Sequence, residues 1–414
     1  MSRIVFDDIF CCLCLEMEIK MKKKKRFYRG SIILIMILCL SACVKKDFYQ
    51  NKNVEVEELD DSKKNEKKKS IQVNCSVVLE KVPFSLKVQQ NQFVTVCDIL
   101  NSRILGYVWH WNDSGTFALM DQIFIWNMEK QKIEKTVTMN QEYLFSAVLD
   151  CDGGIYVGCA DVKECEGEKW KLLYCRSKEN KFVCLKNGMS SLLSGWGSPW
   201  LTHVGKNIVA VYEEKNRNDK NQIGCIKVND GDIQELTDIK WDEDVKYISG
   251  RVAAAEENFA YLVERKDGSF IRLVNMDGEV MEFPWENKGY DFVIIGDYLI
   301  QSGQGEGEGE HVLHMHDIET GDEEKYRIKG HGFRMTPVGE NSFFSVDSFF
   351  NIYYTKIENG KVKESYIDIP TKLKKRSVRF LVDEMNNIFF VYEDIPQSDS
   401  VIEIYKCKIK NEKN

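Results

Sequence analysis

The sequence predicts an all-β protein, most simply a β-propeller of seven blades with four antiparallel strands in each blade. Three observations lead to this fold. No long amphipathic helix pattern appears after residue 70, short apolar runs alternate with polar turns, and the alternation repeats at a regular interval. The interval is about 45 residues, which is the length of a propeller blade. In such a ring each sheet buries its faces against its neighbours.

The repeat consists of a polar or glycine-containing turn followed by a short apolar strand, and it occurs seven times. The first and last marker residues are 271 residues apart, which sets the mean step. Turns such as Asn229–Asp232 and Met276–Glu279 place Gly, Asn or Asp where tight hairpins need a positive φ. The marker residues are Phe117, Ile155, Ile208, Phe259, Leu299, Phe343 and Ile388.

The seventh unit ends without a fourth strand, so we expect a strand from the other end of the domain to close the ring. The segment from Ile71 to Leu79 is the predicted donor. The stretch from Phe84 to Ser102 is strand-like but lies outside the seven units, and for that reason six or eight blades also fit the pattern. A pair of β-sandwiches lacks a regular four-strand period, and β-helix rungs are shorter, so both fit less well.

Residues 22 to 43 have the layout of an export signal. Six basic residues between Lys22 and Arg29 precede an apolar run from Ile32 to Leu40. That run is too short to cross a bilayer, which takes about 20 apolar residues. It ends in the letters LSAC at Cys43, which resembles the lipobox of bacterial lipoproteins. An ordinary membrane helix with a cysteine by chance is the alternative.

The resemblance implies that residues 1–42 are a lipoprotein signal peptide and that Cys43 is the first mature residue. Cys43 would then carry a diacylglyceryl group, and the protein would be held at the extracytoplasmic face of the cell membrane. Two acyl chains bind a bilayer stably, whereas one holds only marginally. Residues 1–20 do not fit a signal peptide, and we expect translation to start at Met21 or Met17.

The chain after Cys43 begins with a highly charged stretch that has almost no apolar pattern. Such a segment cannot bury enough surface to fold. We therefore predict that residues 43–70 comprise the lipidated cysteine and a disordered tether, and that residues 71–414 form the propeller domain.

Charge and cysteine content bound the partners. The chain carries a net charge of −8, and residues 1–43 hold eight Lys and Arg against four Asp and Glu, which leaves −12 for the rest. A net acidic domain is poorly suited to nucleic acid, so no nucleic-acid partner is predicted.

Nine cysteines follow Cys43, an odd number without a CxxC motif, and most are interpreted as small apolar fillers. A bridge among residues 159, 165, 175 and 184 fits their spacing.

Two further resemblances concern the propeller. The segment VCDILNSRI, residues 96–104, resembles a blade of NHL-type propellers. By its pattern, the whole region from residue 71 onward resembles the broad group of propeller-bearing bacterial lipoproteins, which are WD40-like or TolB-like in shape. The Trp241-Asp242 pair does not end a third strand, so true WD40 repeats are not supported.

Binding is expected on the face formed by the loops between second and third strands and between successive blades, since these loops are long and polar. Trp170 belongs to one such loop, and Trp196 and Trp200 belong to another that is rich in Gly and Ser. Exposed aromatic rings suit a sugar ring or a peptide. The alternative is that these tryptophans cap the core between blades.

No cofactor is predicted, and the metal candidates are weak. His314 and His316 are two residues apart on a predicted strand and face the same side, but no third ligand follows at a defined spacing. The acidic loop Gly305–Glu310 is interpreted as solvated, and Asp150–Gly154 as a turn between two strands, because it lacks the later ligands of a calcium loop.

The sequence thus favours a binding or scaffolding module for a protein, peptide or glycan at the cell envelope. The alternative is a propeller hydrolase or lyase that uses loop carboxylates, as glycosidases do. Neither a GxSxG elbow nor a phosphate-binding loop is present. Whether the chain is an enzyme therefore stays open, with a binding role preferred.

Overall fold

A computed structural model describes the chain from residue 68 to 411, except residues 74, 113–117, 161–168, 190–199, 216–220, 238–244, 266, 286–288, 308, 375 and 394–401. The chain divides into two compact units, Met1–Glu66 and Lys67–Asn414, and all described residues belong to the second. The predicted signal peptide, Cys43 and most of the tether therefore lie outside the described residues. Within these residues no helix is long and apolar enough to span a membrane.

The described residues form strands and one short 3₁₀ turn at Thr371–Leu373. Alternating apolar residues and tight polar turns account for these elements, as the sequence predicts. The strands are β1 (Lys68–Lys69), β2 (Ile71–Gln72), β3 (Cys75–Lys81), β4 (Gln92–Leu100), β5 (Arg103–Trp111), β6 (Ala118–Asn127), β7 (Lys132–Leu149), β8 (Ile155–Ala160), β9 (Lys169–Cys175), β10 (Val183–Met189), β11 (Trp200–Val204), β12 (Asn207–Lys215), β13 (Asn221–Asn229), β14 (Asp232–Thr237), β15 (Val245–Ala254), β16 (Asn258–Arg265), β17 (Gly268–Asn275), β18 (Val280–Pro284), β19 (Gly289–Ile295), β20 (Tyr298–Gln304), β21 (His311–Asp317), β22 (Glu323–Ile328), β23 (Phe333–Val338), β24 (Ser342–Val346), β25 (Ile352–Glu358), β26 (Lys361–Ile367), β27 (Ser377–Val382), β28 (Ile388–Glu393) and β29 (Ile402–Asn411).

The strands build an all-β propeller, which confirms the predicted fold class. Five sheets are separate blades, against the seven predicted: β11–β14, β15–β18, β19–β22, β23–β26, and β27–β29 with β3. The strands β4–β10 form one continuous sheet of seven strands. The strands β4, β7, β11, β15, β19, β23 and β27 touch one another in this order, and β27 touches β4 again. Apart from β7, which lies in the middle of the seven-stranded sheet, each is the first strand of its sheet. These innermost strands therefore close a ring.

The apolar core lies between packed groups of strands. One cluster joins β5 and β6 to β8 of the same seven-stranded sheet, through residues such as Leu105, Ile123 and Val157, and further clusters fill the interfaces between sheets. Each of these three side chains is fully buried. Burial of this apolar surface, at about 25 cal/mol per Å², provides the main stabilisation of the ring.

Two buried aspartates connect neighbouring innermost strands. Asp98 on β4 accepts a hydrogen bond from the Leu149 amide on β7 at 2.8 Å. Asp291 on β19 likewise accepts one from the Met335 amide on β23 at 2.8 Å. Each aspartate follows a shift in strand register, which turns the carboxylate toward the next innermost strand.

Three more side chains make the same type of connection. A shift in register also precedes Ser146, whose hydroxyl accepts a backbone amide of the next sheet. Two arginines donate to backbone carbonyls instead, and one of them joins the last sheet to the first. The contacts are Ser146 Oγ with Leu201 N at 2.9 Å, Arg334 Nη1 with Val378 O at 2.8 Å, and Arg379 Nη1 with Val96 O at 3.0 Å. We call these five side chains the inner hooks.

One ion pair reaches further around the ring. His203 Nε2 on β11 lies 3.0 Å from Asp98 Oδ2 on β4. Burial acts to lower the pKa of His203, but the charge and hydrogen bond of Asp98 outweigh it and raise the pKa above its usual value. Glu384 and Asp150 also face this imidazole and act in the same direction.

The ring is closed by β3, which pairs antiparallel with β29 from Cys75–Asn411 to Lys81–Tyr405. This confirms closure by an N-terminal strand, although β3 begins at Cys75, four residues after the predicted start at Ile71. Ahead of β3, the two short strands β1 and β2 add in parallel to the outer strands β22 and β26. Lys68 and Lys69 therefore belong to the folded domain and not to the predicted tether.

The marker predicted for the first unit, Phe117, lies outside the described residues. Of the other markers, Ile155 lies on β8 of the seven-stranded sheet, and five lie on the second strand of their sheets: Ile208, Phe259, Leu299, Phe343 and Ile388. Among the described residues, Cys159, Cys175 and Cys184 are free thiols, so the suggested bridge is not formed among these three, and Cys165 lies outside the described residues. Asp150–Gly154 is a turn, as predicted.

We expect the contact between His203 and Asp98 to make stability depend on pH. Because the pKa of His203 in the folded protein lies above the usual 6.5, protonation of this side chain stabilises the fold. This stabilisation is fully present below pH 6.5 and is lost as the pH rises through the raised pKa. His203→Asn should therefore cost more unfolding free energy at about pH 5.5 than at about pH 8, with a loss of about 1 kcal/mol or more in acid. Urea unfolding of both proteins at each pH measures this.

The matched control is the same substitution in an Asp98→Asn background. With the carboxylate gone, burial is the largest remaining influence on the pKa of His203, so the extra cost of His203→Asn in acid should disappear. An extra cost in acid that persists in this background would show that another group is responsible.

Candidate ligand-binding face

The face on which binding is expected, here called the upper face, carries the connections between sheets and the loops between second and third strands. Many of those loops, including most of the long polar ones and Trp196, lie outside the described residues. Among the described parts of this face, two groups of aromatic side chains stand out. One lies at the junction of two sheets, β19–β22 and β23–β26, and the other lies on β4 and β5.

The first group, which we call the imidazole–aromatic cluster, consists of Tyr290, His311, His331 and Phe333. The two imidazole rings are 3.8 Å apart between centroids and nearly perpendicular. The Tyr290 ring lies 4.6 Å from Phe333 and 5.9 Å from His311. Tyr290 and both histidines are half-buried, whereas Phe333 is buried. The cluster is therefore a partly open apolar surface with two nitrogen heterocycles in it.

Local backbone geometry places these rings. Tyr290 and Phe333 stand near the starts of the innermost strands β19 and β23, and His311 opens β21. His331 and Phe333 flank Gly332, which has a φ of +67° and accepts a hydrogen bond from Ser302 Oγ at 2.6 Å. A Cβ at this glycine would lie 2.5 Å from the Ser302 Cβ, so only glycine fits there.

The protonation state of His331 follows from one hydrogen bond. The backbone amide of Ser348 donates to His331 Nδ1 at 2.9 Å. Since an N–H cannot accept, this bond requires an unprotonated Nδ1 and leaves the proton of the neutral ring on Nε2. Burial also lowers the pKa of His331, although Asp347 acts against it.

His311 is uncharged for a related reason. Burial and then the neighbouring His331 lower the pKa of His311 to about 4. Its Nδ1 atom is buried and has no hydrogen-bond partner among the described residues. At neutral pH the cluster therefore presents two neutral imidazoles, which can donate and accept hydrogen bonds without carrying charge.

A turn next to the cluster exposes a further aromatic ring. Asp347 Oδ1 accepts hydrogen bonds from the amides of Phe349 at 2.8 Å and Asn351 at 2.9 Å, which holds the loop between β24 and β25. Phe349 at its tip is 70% exposed. The same turn supplies the Ser348 amide that binds His331, so the exposed ring and the imidazole are positioned together.

The second group, which we call the tryptophan platform, consists of Phe93, Trp109 and Trp111. The Trp109 ring lies 4.7 Å from Phe93 and 5.3 Å from Trp111. Trp109 Nε1 donates a hydrogen bond to Thr95 Oγ1 at 3.1 Å. The outermost ring, Trp111, stands at the end of β5 and is 45% exposed. Large aromatic surfaces of this kind are suited to stacking on a ligand.

The tryptophans predicted as ligand contacts occupy different environments. Trp170 is fully buried, its Nε1 donates to the Glu213 carbonyl at 2.7 Å, and its ring packs 4.9 Å from Tyr212. It is a core residue, because alternation along β9 turns it inward with Leu172. Trp200 opens the innermost strand β11 and is half-buried. The prediction for Trp170 thus changes from a ligand contact to a core contact.

His314 and His316 do face one side of β21, but both are buried and already have partners. His314 Nδ1 lies 2.6 Å from Glu323 Oε1, and His316 Nε2 lies 2.8 Å from Gln301 Nε2. Their neighbours include the Phe283 ring, 5.4 Å from His316. Within the described residues, no group of three or more His, Cys, Asp and Glu side chains is arranged to hold a metal ion.

Two features of the opposite, lower face serve the fold. The Tyr174 hydroxyl lies 3.0 Å from Asp150 and 3.2 Å from Asp230, and it joins turns of neighbouring sheets. A cavity of about 230 Å³ lies nearby. It is lined by Glu134 and Lys135, whose charged atoms bind Arg103 and the Arg176 carbonyl. These groups are therefore engaged within the protein.

No family model and no curated protein matches the chain. Solved structures with a similar fold include an oligogalacturonate lyase in complex with manganese (TM-score 0.47, 10% identity, 82% of this chain and 98% of that chain covered). A second is the WD40 propeller domain of Doa1 (TM-score 0.44, 15% identity, 80% of this chain and 97% of that chain covered). A third is the propeller domain of the trilobed protease from Pyrococcus furiosus (TM-score 0.43, 10% identity, 77% of this chain and 94% of that chain covered). These similarities concern the fold alone, which is that of a β-propeller.

Proposed function

We propose that this protein is a lipid-anchored, extracytoplasmic binding module whose upper face binds an uncharged glycan or peptide segment at the cell envelope. The observation that carries the proposal is the imidazole–aromatic cluster. It combines a partly open aromatic surface with two neutral hydrogen-bonding rings and holds no Lys or Arg side chain. A glycan or a peptide offers both features that such a surface recognises, namely apolar C–H faces and polar hydroxyl or amide groups.

The tryptophan platform supports the same ligand class. The exposed ring of Trp111 and the exposed ring of Phe349 lie on the same face as the cluster. Exposed aromatic rings supply a large contact area at a low cost in side-chain entropy. Neither group offers the positive charge that phosphate or nucleic acid requires, in agreement with the net charge of −8.

The proposed ring has seven blades, two of which share the long strand β7. The first part of β7, Lys132–Thr138, pairs with β6 as a fourth strand, and the second part, Tyr143–Leu149, pairs with β8 as a first strand. The seven-stranded sheet then corresponds to two blades of four strands each. The ring of seven touching innermost strands supports this count.

The proposed location rests on the sequence around Cys43. A lipid at that residue would hold the domain near the membrane, and the charged segment up to about residue 67 would give it reach. The acidic domain would then need no electrostatic affinity for anionic lipid.

A glycosidase-like hydrolase or lyase needs two carboxylates that face a ligand pocket. In the described part of the chain, Asp150 and Asp230 approach a common hydroxyl, but on the lower face. Asp150 Oδ1 also accepts the turn amides of Asp152 and Gly154. No observation on these residues favours the enzyme, so binding is the function proposed. Mass spectrometry of any bound glycan after incubation with the protein separates the two functions.

The anchor predicts a specific response to one substitution. Cys43→Ser should move the protein from the membrane fraction to the soluble fraction and abolish incorporation of a labelled fatty acid, because the thiol is the acceptor of the diacylglyceryl group. Cys39→Ser, four residues earlier in the apolar run, is the control and should leave both unchanged. Membrane-bound, labelled Cys43→Ser protein would contradict lipidation.

The ligand site predicts which variants lose binding. Tyr290→Ala and His311→Ala should each weaken binding to the best ligand on glycan and peptide arrays by about tenfold, because each removes one ring of the contact surface. Tyr366→Ala is the control, since Tyr366 is 44% exposed on the outer strand β26. Equal loss in the control, or no ligand on either array, would argue against this site.

A further inference from the structure

The short segment of residues 68–73, here called the strap, runs along the outside of two sheets before β3 closes the ring. β1 pairs with β22 and β2 pairs with β26, each over two residues. The Ser70 amide donates to the Arg327 carbonyl at 3.0 Å, and the Val73 amide donates to the Glu364 carbonyl at 3.0 Å. The strap thus spans the junction whose upper end holds the imidazole–aromatic cluster.

A buried carboxylate connects the strap to the interior. Glu364 on β26 is 1% exposed. Its Oε2 atom accepts hydrogen bonds from Gln72 Nε2 at 2.9 Å and from Ser70 Oγ at 3.4 Å. Gln72 Nε2 also lies 3.1 Å from Ser70 Oγ, so the two strap side chains act as one donor group. An ionised carboxylate at such depth is stable only when its oxygens are hydrogen-bonded.

The same carboxylate holds the loop that carries His331. Glu364 Oε2 accepts the Lys329 amide at 2.9 Å, and Oε1 accepts the Gly330 amide at 3.1 Å. A Cβ at Gly330 would lie 2.8 Å from the Tyr353 ring, so this loop packs tightly against the sheet that carries Glu364. Gly330 immediately precedes His331. One side chain therefore bonds both to the strap and to the backbone next to the cluster.

From these contacts we infer that the strap positions the ligand-binding loop: Ser70 and Gln72 hold Glu364, and Glu364 holds residues 329–331. The inference rests on the proposed ligand site at His331. The strap would also regulate that site, because it continues directly from the segment proposed as the tether. Any partner or force that peels residues 68–73 from the domain would loosen the loop and weaken ligand binding.

The strap offers its own matched control. Lys68 forms an ion pair with Glu324 and lies over the Tyr326 ring, but it makes no contact with Glu364. Lys68→Ala therefore removes a strap contact of a different kind, whereas the Ser70→Ala, Gln72→Ala double variant removes two donors from Glu364 Oε2. All three residues are on the outside of the domain, so both variants should fold.

The test is amide hydrogen exchange at Lys329 and Gly330 in the full chain, without ligand. The double variant should exchange about tenfold faster at these two amides, because the Glu364 carboxylate that accepts them is no longer held in place by the strap donors. Lys68→Ala should change them less than twofold, and both variants should melt close to the parent protein. Unchanged exchange in the double variant, or an equal rise with Lys68→Ala, would overturn the inference.

This readout needs no ligand, so it separates the two proposals. If exchange rises as expected but Tyr290→Ala and His311→Ala leave binding intact, the coupling stands and the ligand site is wrong. If those variants lose binding but exchange is unchanged, the site stands and the coupling is wrong.

Discussion

The structure depends on the hydrogen bonds that connect neighbouring innermost strands at five of the seven contacts around the ring. Apolar burial between sheets is strong but non-directional, and it does not by itself set how neighbouring sheets are aligned. The inner hooks supply that alignment, since a buried carboxylate such as Asp98 or Asp291 is satisfied only when the next strand presents its amide at the correct height. Arg379 makes the last of these contacts, from the final sheet to Val96 on β4, and so joins the two ends of the ring.

The ligand-binding face follows from that alignment. His311 and His331 belong to separate strands and loops, yet their rings meet at 3.8 Å because Asp291 aligns β19 with β23 and Ser302 holds Gly332. Burial then lowers the pKa of both imidazoles, so the packing that stabilises the ring also sets the chemistry of its surface. The strap adds an external element to the same junction, and one carboxylate, Glu364, belongs to both.

Much of the fold could be predicted from the sequence, because the strand period and the hairpin turns repeat along the chain. The first sheet could not be placed, since its turn at Asn101 and Ser102 reaches positive φ without a glycine and so gives a weaker turn signal than turns such as Asn229–Asp232. The unbroken strand Lys132–Leu149 likewise hides the boundary between two sets of strands. The cluster could not be predicted at all: its members come from distant segments, and adjacency of that kind is created only by the ring.

The account depends most on the neutral state of the two imidazoles, and this can be measured directly. Nitrogen NMR of the histidine side chains distinguishes neutral from protonated rings and identifies which nitrogen carries the proton. At about pH 7 we predict neutral rings for His311 and His331, with the proton of His331 on Nε2. Imidazolium signals from both residues at that pH, or a proton on Nδ1 of His331, would contradict the proposed binding surface.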